Sequence, residues 1–595
     1  MRRSDMFLVF SLVFTLALIV GAIVLVVAAA RRRGPGIDAR SVRRFFQYVL
    51  LFALVVVVAI GVAELLGMLL GADVPEWVDP DAELARGLAF VFVGGPLLAV
   101  LAWATRRSHR LDPAERDSGL YIAYVTLAAL VAAFVAATAL PQVGFAALGD
   151  GDLDADGVAV VLTWTAVWAV HWWLARRTLD GDRNTPHLLL GSVLGLVMGV
   201  AGLVNTLGGS LDLLLGRERF GRPLGVLGES LGAVLAGGLL WVRYWATAAI
   251  RLPRRPLWLA VVLPLGVGGG LIMALVGGSR LLWSVLVWFV GDRQGSSAAQ
   301  HFDSAPVEAA AVVVGLVVWW YHRTVLGTAE GRTEPRRVYE YLVAGIGLAA
   351  AAVGMGTVLV SLIEALTPGV DVGMTVMNTL LAAVTLLVVG VPVWWIFWSR
   401  VRRAAAVSPD SELVSPTRRV YLVVLFGLAG IAAVVALIAV AVIVLQDVVA
   451  GSVSGVTVRS SRYGLGTLVG AAAVSAYHGA VFRQDRAAGA TVRVTGPRSV
   501  VLVGAVGPEL DRELTRATGS RVEVWGRLDA AAAPWDVAGL AAALGGYPGE
   551  DVVVVADGGG YRVIPVDPSG RRAFVAPAVA EPAVDEPDTR SGEVR

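Results

Sequence analysis

The chain has 595 residues, of which 56% are hydrophobic and 16% are charged, and its formal net charge is +2. An ordinary soluble domain carries roughly 25% charged residues, so this chain has too little polar surface for a soluble globular, disordered or nucleic-acid-binding protein. It has no cysteine and no lysine, which excludes disulfides, cysteine metal sites and lysine Schiff bases, and the composition predicts a polytopic membrane protein.

A helix that crosses a bilayer needs about 20 mostly apolar residues. The stretches that qualify are, in chain order, 6–30, 45–70, 87–104, 119–140, 158–175, 188–208, 228–249, 257–277, 306–326, 340–366, 375–398, 420–446 and 463–482. The first reads as a signal peptide or an anchor. Its apolar run of about 24 residues exceeds the usual 7–15 of a signal peptide, so we expect an uncleaved anchor over 1–39. The segment 281–290 follows Arg280 and is too short to span, so we expect it at the interface or re-entrant.

Arginines and acids alternate between successive loops. Segment 31–44 is arginine-rich, loop 71–86 is acidic, loop 105–118 is basic and loop 141–157 is acidic. Because positive residues mark cytoplasmic loops, this pattern predicts an N-terminus outside and a C-terminus in the cytoplasm of a bacterial plasma membrane. An outer loop at 209–227 departs from the rule; it carries Arg217, Arg219 and Arg222.

Residues 40–486 divide into six units of two apolar helices each. A unit begins with a basic–aromatic lead, such as Arg-Arg-Phe-Phe at 43–46 and Arg-Arg-Val-Tyr at 336–339 and 418–421. It ends in an aromatic cluster followed by arginine. Ten of the 18 tryptophans lie in these endings, so the repeat is not an accident of apolar composition. Because each unit has two helices, the repeats are parallel and not inverted.

This lead, helix pair and Trp/His/Tyr-rich ending resemble an uncharacterised family of bacterial multi-pass membrane domains, domain of unknown function 5671. The resemblance covers about residues 40–485, as several copies. The third unit departs from it, because Thr185-Pro186-His187 replaces the Arg-Arg-aromatic lead. The resemblance implies the topology and supplies no catalytic residue and no cofactor.

The unit endings predict an aromatic–basic belt at the inner membrane interface, where Trp and Tyr prefer to lie. Its members are Trp103, His171, Trp172, Trp245, Trp320, His322, Trp395 and His478. A ligand, metal or haem site at these residues is the weaker alternative, since no His-x3-His or Glu-x2-His pair supports it, and we expect no metal and no cofactor.

Acidic residues in apolar segments are functional candidates by default. Glu64 and Glu364 are the best candidates for a transport or sensing role, although Asp212, Glu229 and Glu308 also fall near the outer helix ends. Glycines predict close helix packing on one stretch and a kink or unwinding of another. They are Gly191, Gly195, Gly199 and Gly202, and the run 266–270 after Pro264.

Residues 487–576 predict a small cytoplasmic α/β domain, and 577–595, rich in Pro, Glu and Asp, predict a disordered tail. The expected strands are 491–496, 499–504, 521–526, 551–556 and 561–566, and the expected helices are 508–518 and 534–545.

We therefore expect an all-α polytopic membrane protein of about 13 transmembrane helices in six parallel two-helix repeats, with this small domain attached. The expected function is a non-enzymatic membrane scaffold or sensor. It contacts the lipid bilayer and docks a cytoplasmic protein partner through 487–576. The alternative is a channel or carrier for a small or lipid-like solute, and an intramembrane enzyme is third.

Overall fold

The computed structural model describes residues 39–72, 79–112, 115–179, 181–216, 223–293, 295, 297–326, 334–369, 373–407, 412, 415–489, 496–504, 510–526, 536–557 and 560–567. The expected anchor (apart from Ala39), the three arginines of the loop 209–227 and the tail 577–595 lie outside these residues. The chain divides into two compact units, Met1–Arg483 and Gln484–Arg595, which are described separately.

The first unit is helical, and its described residues contain twelve helices long and apolar enough to cross a membrane. They are α1 Ala39–Leu69, α2 Pro80–Leu111, α3 Gly119–Gly149, α4 Ala155–Thr178, α5 Thr185–Leu214, α6 Pro223–Arg251, α7 Pro256–Phe289, α8 Ala305–Val325, α9 Glu334–Leu366, α10 Val376–Val407, α11 Pro416–Val449 and α12 Arg462–Gly489. In chain order, each of these helices contains all or most of one of the twelve apolar stretches predicted after the N-terminal one. The prediction of a multi-pass helical membrane protein is therefore confirmed.

The helix starts follow from capping residues in the sequence. The side chains of Asp79, Ser118 and Asp154 each accept a hydrogen bond from a backbone N–H in the first turn of α2, α3 and α4. These N–H groups have no partner inside the helix, so a capping oxygen fixes where the helix begins. The caps lengthen α2 and α4 beyond the short apolar stretches that the sequence shows.

Helix α7 corrects the prediction for 281–290. The helix continues without a break from Gly269 to Phe289, so this segment extends the preceding span and is not a separate re-entrant segment. The reason is that Arg280 does not end the helix, because its Nε lies 3.2 Å from a carboxylate oxygen of Glu308 on α8. Earlier in α7, the predicted kink takes the form of a π-helical turn at Val262–Gly268, which contains Pro264. Proline lacks the N–H that an α-helix needs there.

The helices of the first unit interlock. Consecutive helices pair as hairpins, from α1–α2 to α11–α12, and the first helix of one hairpin also packs against the second helix of the next. The second kind of contact joins α1 to α4, α3 to α6, α5 to α8, α7 to α10, and α9 to α12. The helices thus follow one another in the order α2, α1, α4, α3, α6, α5, α8, α7, α10, α9, α12, α11. The end helices are the least buried: 11% of the apolar window of α2 and 6% of that of α11 are buried, against 56% for α3.

Glycines allow these helices to approach closely. A Cβ atom added at Gly228 on α6 would lie 2.1 Å from the carbonyl oxygen of Gly144 on α3. A Cβ added at Gly237 on α6 would lie 2.1 Å from the backbone nitrogen of Gly199 on α5. The predicted glycine stripe on α5 is confirmed as a packing surface, since a Cβ at Gly195 would meet the backbone of Trp241 at 2.4 Å.

The second unit is a four-stranded sheet with two helices. The elements are β1 Ser499–Val503, α13 Leu510–Thr518, β2 Arg521–Trp525, α14 Val537–Leu544, β3 Asp551–Asp557 and β4 Gly560–Val566. The strand order is β2-β1-β3-β4, with β1 parallel to β2 and β3, and β4 antiparallel to β3. The two helices pack against each other and against alternate strand residues. The other face of the sheet carries Val501, Val553 and Ile564 side by side. Of the predicted strand 491–496, only Gly496 is described.

Candidate functional site

The two ends of the twelve-helix unit differ in their side chains. We call the end where the even-numbered helices finish and the odd-numbered helices begin the connector end. We call the end where the two helices of a hairpin are joined the hairpin end. Aromatic rings are concentrated at the connector end, whereas ion pairs occur at both ends.

A row of partly buried indole–phenol hydrogen bonds ties neighbouring hairpins together at the connector end. In each bond, a tryptophan Nε1–H on one even-numbered helix donates to a tyrosine hydroxyl on the next even-numbered helix. The pairs are Trp168 with Tyr244 at 3.0 Å, Trp245 with Tyr321 at 2.9 Å and Trp398 with Tyr477 at 2.7 Å. Because a buried indole N–H is costly to leave unpaired, these bonds fix both the register and the neighbour of each helix.

Histidines lie in the same layer. The Nε2 of His109 is 3.1 Å from the hydroxyl of Tyr48, and the Nε2 of His171 is 3.0 Å from the hydroxyl of Tyr124, so each histidine joins an even helix to an odd one. The Nδ1 atoms of His322 and His478 face backbone carbonyls one turn earlier in their own helices. Within the described ranges, no group of three or more His, Cys, Asp or Glu could hold a metal ion.

The eight predicted belt residues divide into two sets. Trp103, Trp320 and Trp395 expose 55–61% of their surface, as a belt at the lipid interface requires. The other five are at most 8% exposed and lie in the helix-packing layer: His171, Trp172, Trp245, His322 and His478. Adjacent tryptophans in one sequence cluster therefore lie in different environments, since Trp172 is buried while Trp173 is 47% exposed.

Two buried Arg–Glu ion pairs clamp the connectors between hairpins. The Nε of Arg44 on α1 lies 2.8 Å from Oε2 of Glu115, which precedes α3, and the Nε of Arg337 on α9 lies 2.8 Å from Oε1 of Glu412, which precedes α11. Both glutamates are nearly or fully buried. Each clamp therefore fixes the start of one hairpin against the lead of the hairpin before it.

The sequence predictions missed both glutamates, although a signal was present. Glu115 and Glu412 each stand three residues before the serine that begins the next helix, Ser118 and Ser415. Each forms its ion pair with the second arginine of an Arg-Arg lead. Burial alone would raise the pKa of the Glu115 carboxyl, but the hydrogen bond and charge of Arg44, with the charge of Arg43, hold this pKa below its ordinary value of 4.5.

The two acidic candidates lie at the hairpin end, and each faces an arginine. An Oε1 atom of Glu64 on α1 is 2.7 Å from Nη2 of Arg86 on α2, and Oε1 of Glu364 on α9 is 2.7 Å from Nε of Arg462 on α12. The structure does not bring the two candidates together, since they belong to different hairpins. A transport or sensing role for them stays a prediction.

A polar cavity of about 380 Å³ lies at the hairpin end beside α5 and α6. Its acidic lining residues are Asp212 and Glu229, and Asn205 and Ser230 add further polar atoms. Pro141 of α3 and Val307 of α8 close its sides. The sequence placed both acids near the outer helix ends but did not reveal that α5 and α6 bring them to one cavity.

One comparison with known proteins identifies two segments of the chain. The family described as Domain of unknown function (DUF5671) matches residues 44–166 and 337–480. The first match spans α1 to α3 and half of α4, and the second spans α9 to α11 and most of α12. The resemblance seen in the sequence is therefore confirmed for two copies, each of which covers two hairpins and contains one Arg–Glu clamp. No curated protein and no solved structure matches the chain.

Proposed function

We propose that the chain is a non-enzymatic membrane scaffold or sensor, built of six parallel two-helix repeats, whose C-terminal domain docks a cytoplasmic protein. The observation that carries this proposal is the interlocked packing of the hairpins. Each helix between the two ends is held by its own hairpin partner and by a helix of a neighbouring hairpin. Such an arrangement suits a stable platform better than an element that rocks between two states.

The pairing of the polar side chains also supports a scaffold or sensor. At the connector end, arginines and histidines bond to buried glutamates, tyrosines and backbone carbonyls. At the hairpin end, Glu64, Glu308 and Glu364 each face an arginine. Groups that are neutralised in this way stabilise helix packing, and they are less suited to serve as proton carriers or catalytic acids.

The open face of the sheet is the surface that we propose for docking. Val501, Val553 and Ile564 form an apolar row on it, and Ile564 is 38% exposed. A photo-crosslinking amino acid at Ile564 of the full-length protein in cells should yield one discrete adduct, identified by mass spectrometry. The same amino acid at Leu540, which is fully buried under the sheet, is the control. Equal adducts from both positions, or none from Ile564, would contradict docking at this face.

The predicted orientation has a direct test because the natural chain has no cysteine. A membrane-impermeant maleimide should label Ser452→Cys, at the hairpin end, in intact cells. It should label Arg403→Cys, at the connector end, only after permeabilisation. Both native side chains are exposed. The reverse labelling pattern would place the C-terminal domain outside the cytoplasm and overturn the docking proposal.

The alternative function, a channel or carrier, is favoured by the polar cavity of Asp212 and Glu229. Two carboxylates at one cavity would suit a small cationic solute. Liposomes with the purified protein should then take up such a cation, and Asp212→Asn should abolish the uptake. Wild-type protein without measurable flux would support the scaffold, and flux lost in Asp212→Asn would support the carrier.

A further inference from the structure

An elongated apolar slot lies between α9, α11 and α12. Its volume is about 370 Å³, which falls within the roughly 300–1,000 Å³ of ligand sites in proteins. Nearly half of its lining residues are alanine or glycine: Ala349, Ala352, Gly356, Ala429, Gly466, Gly470 and Ala471. The slot is half open towards the surface that, in a bilayer, faces lipid.

The two family copies can be aligned on residues that make the same contacts. Arg44 and Arg337 both bind the buried glutamate of a connector, and the rings of Tyr124 and Tyr421 lie 5.6 Å and 5.8 Å from those of His171 and His478. The last two histidines both direct Nδ1 to the carbonyl four residues earlier. The helices α1, α3 and α4 of the first copy therefore correspond to α9, α11 and α12 of the second.

This alignment shows what fills the corresponding space in the first copy. Trp164 of α4 stands seven residues before His171, is buried, and belongs to a core cluster with residues of α1 and α3 that include Val56, Ala59, Ala128 and Ala132. The residue seven positions before His478 is Ala471, which lines the slot. The second copy thus keeps the surrounding helices but lacks the indole, and the slot is the space that remains.

The shape of the slot indicates its occupant. On α12 the lining runs from Tyr463 to Val474, which at 1.5 Å per residue is about 16 Å. An extended hydrocarbon chain matches this length and the apolar wall. Water has no polar partners along most of this wall, so hydrocarbon is the favoured filling.

The mouth of the slot supplies charge complementarity. At the hairpin end, Tyr463 lines the slot and lies under the guanidinium of Arg462, whose carbon is 4.4 Å from the ring centroid. Arg459 is one turn away and binds the backbone carbonyls of Glu364 and Thr367. The guanidinium of Arg462, which is paired with Glu364, therefore lies beside the mouth of the slot, where a phosphate oxygen can bind it.

We propose that this slot binds one acyl chain of a phospholipid, with the lipid phosphate at Arg462 and Tyr463. The site needs Ala471, because a tryptophan there would occupy the slot as Trp164 occupies its counterpart. The exposed helix α11 leaves the slot accessible from the bilayer. The first copy, with Trp164 in place, does not offer this site.

The test counts tightly bound lipids by native mass spectrometry of delipidated full-length protein titrated with phosphatidylglycerol. Ala471→Trp should bind one lipid fewer than the wild type. Trp164→Ala, the corresponding change in the first copy, should leave the lipid count unchanged, because α6 covers α3 there and Ala155 and Asp156 stand where the second copy has Arg462 and Tyr463. A lipid count unchanged in Ala471→Trp would overturn the proposal.

Two further measurements distinguish lost lipid binding from lost folding, and binding of the acyl chain from binding of the lipid headgroup. Ala429→Leu narrows the slot with a smaller change and should weaken lipid binding at least several-fold while thermal stability is kept. If only misfolded variants lost the lipid, the slot would not be the site. Diacylglycerol with the same acyl chains should bind more weakly than phosphatidylglycerol, and equal binding would overturn the assignment of the phosphate to Arg462.

Discussion

The close contact between α3 and α6 makes a sharp prediction for Gly228→Ala. The added Cβ would lie 2.1 Å from the carbonyl oxygen of Gly144, which is about 1.3 Å short of the 3.4 Å at which ordinary contact begins. The obstacle is backbone, so the two helices must separate along their crossing. Overpacking of this kind costs about 1–3 kcal/mol in free energy of unfolding.

Gly238→Ala on the same helix is the control. No atom lies within 4 Å of a Cβ at Gly238, and alanine favours a helix over glycine by about 0.8–1.0 kcal/mol. Both variants gain this helix propensity, so they should differ by the overpacking cost of roughly 1–3 kcal/mol, measured by reversible unfolding in mixed micelles followed by tryptophan fluorescence. Equal stabilities would refute the close packing of α3 on α6, and with it the interlocked order.

Three further changes test the connector end, each in the same unfolding assay. Glu412→Gln removes the fully buried carboxylate opposite Arg337, which keeps its ion pair with Glu334, and should cost about 1.5–3 kcal/mol, whereas no loss would show that the clamp is not formed. Because the pKa of Glu115 is lowered in the folded protein, its ion pair stabilises the fold above pH 4.5, and this stabilisation is lost as pH falls through the lowered pKa. Glu115→Gln should therefore reduce the loss of stability that the wild type shows on acidification. An unchanged loss would contradict the ion pair. Trp245→Phe removes the hydrogen bond to the hydroxyl of Tyr321 and should cost about 1 kcal/mol, while Trp320→Phe at an exposed site should cost almost nothing. Equal costs would count against the row of indole–phenol hydrogen bonds.

Hydropathy located the helices because the thickness of a bilayer sets the length of a spanning segment, whichever helices pack beside it. For the same reason, hydropathy carries no information on which helices pack together. The pairing of α3 with α6 depends on Gly144 meeting Gly228, and these residues are far apart in the chain and lie in sequences rich in glycine throughout. The error at 281–290 has a related cause, since Arg280 reads as the end of a span until Glu308 is seen opposite it.

The residues of the candidate site were found only in part, because their roles depend on partners in other helices. The sequence showed that Glu64 and Glu364 lie near the outer ends of apolar helices, but not that arginines face them. It grouped Trp172 with Trp173, although one is buried and the other faces outward. In the second unit, the sequence was sufficient for the strand Arg521–Trp525, where polar and apolar residues alternate with a period of two.

Disulfide mapping of the helix order tests the interlocked packing most directly, because the natural chain has no cysteine to interfere. A Cβ at Gly67 on α1 would lie 3.8 Å from the Cβ of Ala159 on α4, which is the usual separation in a disulfide. With a protease site inserted between α2 and α3, oxidised Gly67→Cys/Ala159→Cys should keep the two fragments joined on a non-reducing gel. The control Leu97→Cys/Phe134→Cys, on α2 and α3, should let them separate. Fragments joined by the control pair and separated in the α1–α4 pair would contradict the account.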